Sequence, residues 1–337
     1  MKMSINSSKT TTKDAFQRIK NGQSGNYKPL KTRYEHFNKI SHGGIARQTI
    51  ITIGGLSGFG KSHTLRELEE DVLNEELNPQ SPDKVILVKV DFEMSKEEAI
   101  LNRVKAITGK PFSYLMYEEP DEETKIAFND VYTQLSQDNV YEMYDTCTPD
   151  NLFQLMDNFC TQQEDKDQIV LTIDNVNLIE QENEGETEAL SKLQKNLIDL
   201  KLRHKNLSII QLAQLNRNLK ERTDPKFMFP RTSDFFNSSK IEHASDIQIV
   251  MHNPYLLGIH EYGVVSVKKF DYLEEFILPK GKWGTFMTEG LVFWHYVKVR
   301  AKDDLKTFKD VFIEKVYDTE DEEENTYAGE NIQDLFG

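Results

Sequence analysis

The sequence predicts an α/β domain with a mostly parallel central sheet flanked by helices and an antiparallel extension. Three observations predict it. Short β-branched apolar runs recur at helix-length intervals from about residue 34 to 316, the alternation a parallel sheet requires. The runs are nearly continuous rather than alternating, as strands covered on both faces must be. The first of them leads directly into a glycine-rich string that opens a helical pattern. A chain of 337 residues with 38% hydrophobic content can bury the core such a fold needs.

Taken in order, the first 27 residues are polar and Lys-rich, with one amphipathic turn around Ala15, Phe16 and Ile19. Residues 1–29 therefore read as a basic arm or linker. Residues 30–317 form the domain. Its strand candidates are QTIITIGG (48–55), KVILVKVDF (84–92), QIVLTID (168–174) and LSIIQLAQ (207–214), with a helical pattern over 64–73. Segments 262–278 and 291–317 read as further strands of antiparallel sense. Residues 318–337 carry eight acids and no base, so they read as a disordered acidic tail closing on Ile332, Leu335 and Phe336. No internal repeat is visible.

Charge narrows the function classes. Residues 1–50 carry ten Lys/Arg against Asp14 and Glu35, which offsets the acidic tail, so the whole −15 falls on residues 51–317. A nucleic-acid site on such a body is a local patch, pore or loop rather than a basic face. No apolar stretch reaches the roughly 18 residues a membrane helix needs, and the N-terminus has no secretory apolar core. A soluble, cytoplasmic protein is the expectation. Cys147 and Cys160 are too few for a disulfide framework, and the eight histidines form no metal-ligand spacing.

Gly55-Leu56-Ser57-Gly58-Phe59-Gly60-Lys61-Ser62 matches G-x-x-x-x-G-K-[ST] between a strand and a helix. Glycines let consecutive backbone N–H groups curl around an anion, and the helix N-terminus adds a favourable dipole. Lys61 is placed to contact β- and γ-phosphates and Ser62 to hold Mg²⁺, so ATP is the expected ligand. Asp174 ends the strand IVLTID, where a carboxylate faces such a loop and can hold the Mg²⁺ shell. Glu93, just past VILVKVDF, can position or deprotonate an attacking water, or can serve as a cap for the helix that follows.

With those residues in view, VDFEMS (90–95) resembles the strand-Glu-Met-Ser signature of DnaB-type replicative helicases, in which that Glu is the catalytic base. IVLTIDNVNLI (169–179) is similar to the family's Walker B strand. LAQLNRNLKERTD (212–224) resembles its Ser-Gln-Leu-Asn-Arg segment, which implies that Gln214 senses the γ-phosphate. TSDFFNSSKIEHASD (232–246) follows the family's DNA-loop pattern, and Lys298-Val299-Arg300 resembles the Lys-x-Arg pair that reaches into a neighbour's ATP site. TRYEHFNKISHGG (32–44) resembles the lead-in to the P-loop strand. The likeness covers about residues 30 to 317 and implies a RecA-like P-loop NTPase.

The departures are specific. Phe236 and Asn237 stand where the family's DNA loop usually has an Arg-Glu pair, so contact with phosphate would fall to backbone amides near Ser238 and Ser239, with Lys240. Phe235 and Phe236 read equally as core. Ala301-Lys302-Asp303-Asp304 replaces the usual Asn-Gly turn, and about 30 residues cannot supply the helical N-terminal domain that holds primase in bacterial members. The resemblance implies an ATP- and Mg²⁺-dependent, ring-forming DNA helicase or translocase of replication. Single-stranded DNA and five further copies would be its partners, and the acidic tail would reach a separate primase, loader or single-strand-binding protein. A RecA/RadA-like recombination ATPase and a nucleotide-stabilised, non-motor assembly or loader protein remain the alternatives.

Overall fold

The computed structural model describes residues 8–23, 27–79, 84–164, 167–181, 185–216, 222, 234–235, 238–252, 261–262, 265–266 and 293–299. Its elements in chain order begin with helices α1 (Ser8–Gln23) and α2 (Glu35–Ile40), then β1 (Ile50–Gly55), α3 (Lys61–Leu73) and β2 (Val85–Asp91). Helices α4 (Lys96–Thr108), α5 (Phe112–Tyr117) and α6 (Glu122–Leu135) precede β3 (Val140–Met143), α7 (Pro149–Thr161) and β4 (Gln168–Asp174). After α8 (Glu186–Arg203) and β5 (Leu207–Gln214) come α9 (Ser238–Ala244), β6 (Ile247–His252), the short β7 (Glu261–Tyr262) and β8 (Val265–Ser266), and β9 (Phe293–Val299).

The main sheet has the order β3-β2-β4-β5-β1-β6-β9. Six strands run parallel and β9 pairs antiparallel with β6. The expected parallel sheet with an antiparallel extension is therefore present. Every residue of β1 and β4 is buried, and all of β5 except Gln214, which explains the continuous apolar runs. Helix α3 lies against β1, β2, β4 and β5, while α8 lies against β5 with α7 and α9 beside it. Ile53, Leu68, Leu171, Leu193 and Ile209 belong to one continuous core. A smaller cluster joins α4, α5 and α6 through Leu101, Val104, Leu115, Ala127 and Val131.

Three features differ from the sequence reading. The arm holds a 16-residue helix rather than one turn; Phe16 and Ile19 stand 59% and 54% exposed on it, and Gln17 donates to Asn21 at 3.1 Å. Strands β3 and β6 were not anticipated. Within 232–246, Ser238–Ala244 is helical, because Ile241 and Ala244 bury one face three residues apart while Ser239 and Lys240 stay exposed. The tail and most of 262–278 and 300–317 lie outside the described residues. Among the described residues no helix is long and apolar enough to cross a membrane.

Candidate nucleotide site at the carboxyl edge of the sheet

Open parallel sheets bind ligands beyond the carboxyl ends of their strands, and Lys61, Ser62, Asp174, Glu93 and Gln214 lie there. β1 ends at Gly55, and the chain turns through Leu56 and Phe59, both 2% exposed, with Ser57 and Gly58 facing outward. Gly58 (φ 84°) and Gly60 (φ 85°) take left-handed backbone that costs other residues a steric penalty. Gly60 is the N-cap of α3, which begins at Lys61 rather than at Thr64, so Lys61 and Ser62 occupy its first turn. A Cβ on Gly55 would come within 3.2 Å of the Lys61 Cγ, so the lysine stem lies along bare backbone. Its Nζ donates to the Leu56 carbonyl at 3.1 Å across the loop.

β5 separates β1 from β4, yet α3 carries its first turn over the sheet edge far enough for the Ser62 hydroxyl to hydrogen-bond the Asp174 carboxylate. Asp174 is 6% exposed. Burial above all pushes its carboxyl up to about 7; the charges of Asp91 and Glu93 add to that, and Ser62 and Lys61 oppose it. Burial likewise lowers the Lys61 ammonium, against the pull of Asp174 and Glu93. The Lys61 ammonium, the Arg66 guanidinium and the Ser62 hydroxyl thus face three carboxylates. That imbalance suits a divalent cation carried with phosphate. The donor set of Ser62 hydroxyl and Asp174 carboxylate is all oxygen, as Mg²⁺ prefers. No cluster of three or more His, Cys, Asp or Glu able to hold a metal exists among the described residues, so an ion here would take its remaining ligands from phosphates and water.

Asp91, which the sequence reading passed over, faces Asp174 in register. Its Oδ1 accepts the backbone N–H groups of Glu93 (2.9 Å) and Met94 (3.1 Å), a tight turn that lifts Glu93 off the strand and leaves it exposed. The cap of α4 is Ser95, reciprocated by Glu98, so Glu93 is not a capping carboxylate. Gln214 is half-buried at the end of β5, in register with Gly55. Its N–H donates at 2.9 Å to Asn177 Oδ1, and Asn177 N–H in turn donates to Asn175 Oδ1 at 3.0 Å. This short chain ties the end of β5 to the residues following Asp174. The Asp174–Asn175 peptide is cis.

Behind the site, Glu69 of α3 accepts Arg103 Nη2 at 3.0 Å and the Thr172 hydroxyl at 2.8 Å, with Lys89 Nζ 3.7 Å away. These side chains join α3, α4, β2 and β4 behind the Ser62–Asp174 contact. They too escaped sequence reading, because no local signal pairs residues 34 and 103 positions apart. Three of the five expected DNA contacts are consecutive in the first turn of α9. Ser239 and Lys240 are exposed on α9, Ser238 begins it, and Phe236 and Asn237 lie outside the described residues. Phe235 is core, 2% exposed. Lys298 lies in β9 at the edge of the sheet, with Gln248 as its register partner, and Arg300 lies outside the described residues. Asp246 closes the family-like pattern in a structural role, accepting Ile50 N–H at 2.9 Å and Lys201 Nζ at 2.7 Å.

The sequence matches the family model described as DnaB-like helicase C terminal domain over residues 29–299. Among solved structures, one described as an ATPase domain superposes with a TM-score of 0.63 at 15% identity, covering 88% of this chain and 93% of that one. A second, described as a DnaB-like replicative helicase and its interactions with primase, gives a TM-score of 0.61 at 16% identity, covering 88% of this chain and 63% of the other. At such identities the likeness is one of fold, the RecA-like ATPase sheet. No curated protein sequence matches significantly.

Proposed function

The chain belongs to the family of DnaB-like helicase C-terminal domains, and from that premise we propose that it is an ATP-driven, ring-forming replicative DNA helicase that moves on single-stranded DNA. The observation that carries this reading is the convergence of Lys61, Ser62, Asp174, Glu93 and Gln214 at the carboxyl ends of β1, β2, β4 and β5. In that arrangement the backbone of residues 55–62 cradles the phosphates of ATP, and Lys61 meets the β- and γ-phosphates. Ser62 and Asp174 hold Mg²⁺, which when bound neutralises charge on the phosphates. Glu93, free of any capping duty, orients and deprotonates the attacking water. Gln214 senses the γ-phosphate from the strand next to the P-loop.

Lys298 and Arg300 complete the site from a neighbouring copy, so a homohexamer is the working form. Ser238, Ser239 and Lys240, with Phe236 and Asn237, line the DNA path. The acidic tail engages a primase, loader or single-strand-binding protein. The test is unwinding of a forked duplex with ATP and Mg²⁺, with mass photometry of the same sample. ATP-dependent unwinding by a six-subunit particle is the expected outcome. Filaments that pair strands without unwinding would move the protein to the recombination ATPases, and nucleotide-dependent assembly without hydrolysis to the loaders.

A further inference from the structure

Phe235, which precedes residues 236–240, and Ser245 and Asp246, which follow them, each contact β1. Downstream, Ser245 Oγ lies 2.6 Å from Thr52 Oγ1, and Asp246 exchanges two hydrogen bonds with the Ile50 backbone, at 2.9 and 2.8 Å. Upstream the contact with β1 is made by one aromatic ring. Phe235 lies so close to Gly54 that a Cβ on the glycine would come within 2.4 Å of its Cε1 and 2.6 Å of its Cζ. The backbone of Phe235 forms an antiparallel bridge with Leu215, and Asn216 N–H donates to the Asp234 carbonyl at 2.7 Å. Leu215 directly follows Gln214, and Gly54 directly precedes the first P-loop glycine.

We infer that Phe235 is a positioning residue that passes the state of the nucleotide site to the DNA-contacting segment beginning at the next residue. The inference rests on the proposed DNA role of 236–240. Its ring bears on β1 one residue before the phosphate loop, and its backbone is bridged to Leu215, the residue directly after Gln214 at the end of β5, so it touches the ends of the two strands that would register the γ-phosphate. A ring packed on bare backbone is close-packed and transmits displacement rather than absorbing it. Hydrogen bonds at 245 and 246 hold the far end of the segment to β1, while the near end rests on the Phe235 ring and its backbone bridge to Leu215. Gly54 serves this contact, since any side chain there would lift the ring away.

The test uses Phe235→Ala and Phe235→Met in the full chain. The Met variant keeps volume in case Ala impairs folding, but replaces a rigid ring with a flexible chain. ATPase is measured with and without an unstructured oligodeoxythymidine, and affinity for that oligonucleotide with and without a non-hydrolysable ATP analogue. In wild type the analogue should tighten DNA binding by about 5- to 150-fold, the span of ordinary coupling free energies. Both variants should keep basal ATPase and lose the DNA stimulation and the tightening, the ratio falling toward one. Full coupling in folded Phe235→Ala overturns the inference. So does a parallel fall of basal and stimulated rates in folded Phe235→Met, which marks a purely structural side chain. If wild type itself shows neither stimulation nor tightening, the DNA reading of this segment fails first and the inference falls with it.

Discussion

Replacing Glu69 by Leu should destabilise the protein by about 3 kcal/mol, toward the lower end of the 3–5 kcal/mol typical for breaking a buried ion pair. The value follows from what the substitution strands. Arg103 and Glu69 side chains are 7% and 5% exposed and meet at 3.0 Å. Lys89 keeps a second carboxylate, Glu142, at 2.8 Å, so it is not orphaned. Arg103 loses its hydrogen-bonded carboxylate while Arg66 stays near enough for each to repel the other, and the Thr172 hydroxyl loses its acceptor. Glu70, which also acts on Arg103 electrostatically, moderates the loss. In a domain of this size about 3 kcal/mol lowers the melting midpoint by roughly 5 °C. Urea and thermal unfolding of Glu69→Leu, Arg103→Met and the double variant measure it. Because apolar replacement of a whole buried pair is often close to neutral, the double variant should recover about 2 kcal/mol over Glu69→Leu alone. A single-variant cost under about 1 kcal/mol, or strict additivity in the double, would refute the reasoning.

Lys61→Ala should abolish ATP binding, whereas Glu93→Gln should bind ATP normally and lose hydrolysis; isothermal titration beside a phosphate-release assay decides, and equal loss of affinity in both removes Glu93 from the water-activating role. If Arg300 acts on a neighbour's ATP, pure Arg300→Ala and pure Lys61→Ala proteins are both dead, yet mixing them restores ATPase at interfaces that pair an intact loop with an intact Arg300. A trans arginine is worth about 10³ to 10⁵ in rate in other P-loop enzymes, so the recovered signal stands clear of background; no recovery means action within one subunit or none. Deleting residues 318–337 should leave ATPase intact and change affinity for DNA or a partner protein, measured by anisotropy; identical affinities would reduce the tail to a solubility element.

What the sequence by itself determined is the chemistry that consecutive residues can build. The proposed phosphate cradle is local: its glycines, its lysine and the first turn of α3 are neighbours in the chain, and Gly58 and Gly60 adopt the backbone that only their residue type takes without strain. The strands β4 and β5 were legible to their last residue, because a segment buried on both faces must be apolar throughout. Less was legible where a helix is mostly exposed, as α1 is, or where a strand is short and half-buried, as β3 is, since neither leaves a strong periodic signal. Only the tertiary structure decided that β5 lies between β1 and the Asp174 strand, that Asp91 stands opposite Asp174 and holds up Glu93, and that Asn177 latches Gln214. It likewise turned Phe235 onto Gly54 and made Asp246 a clasp for β1. These are pairings of residues far apart in the chain. They are selected by burial and hydrogen-bond satisfaction across the whole core, which local propensity and spacing do not encode.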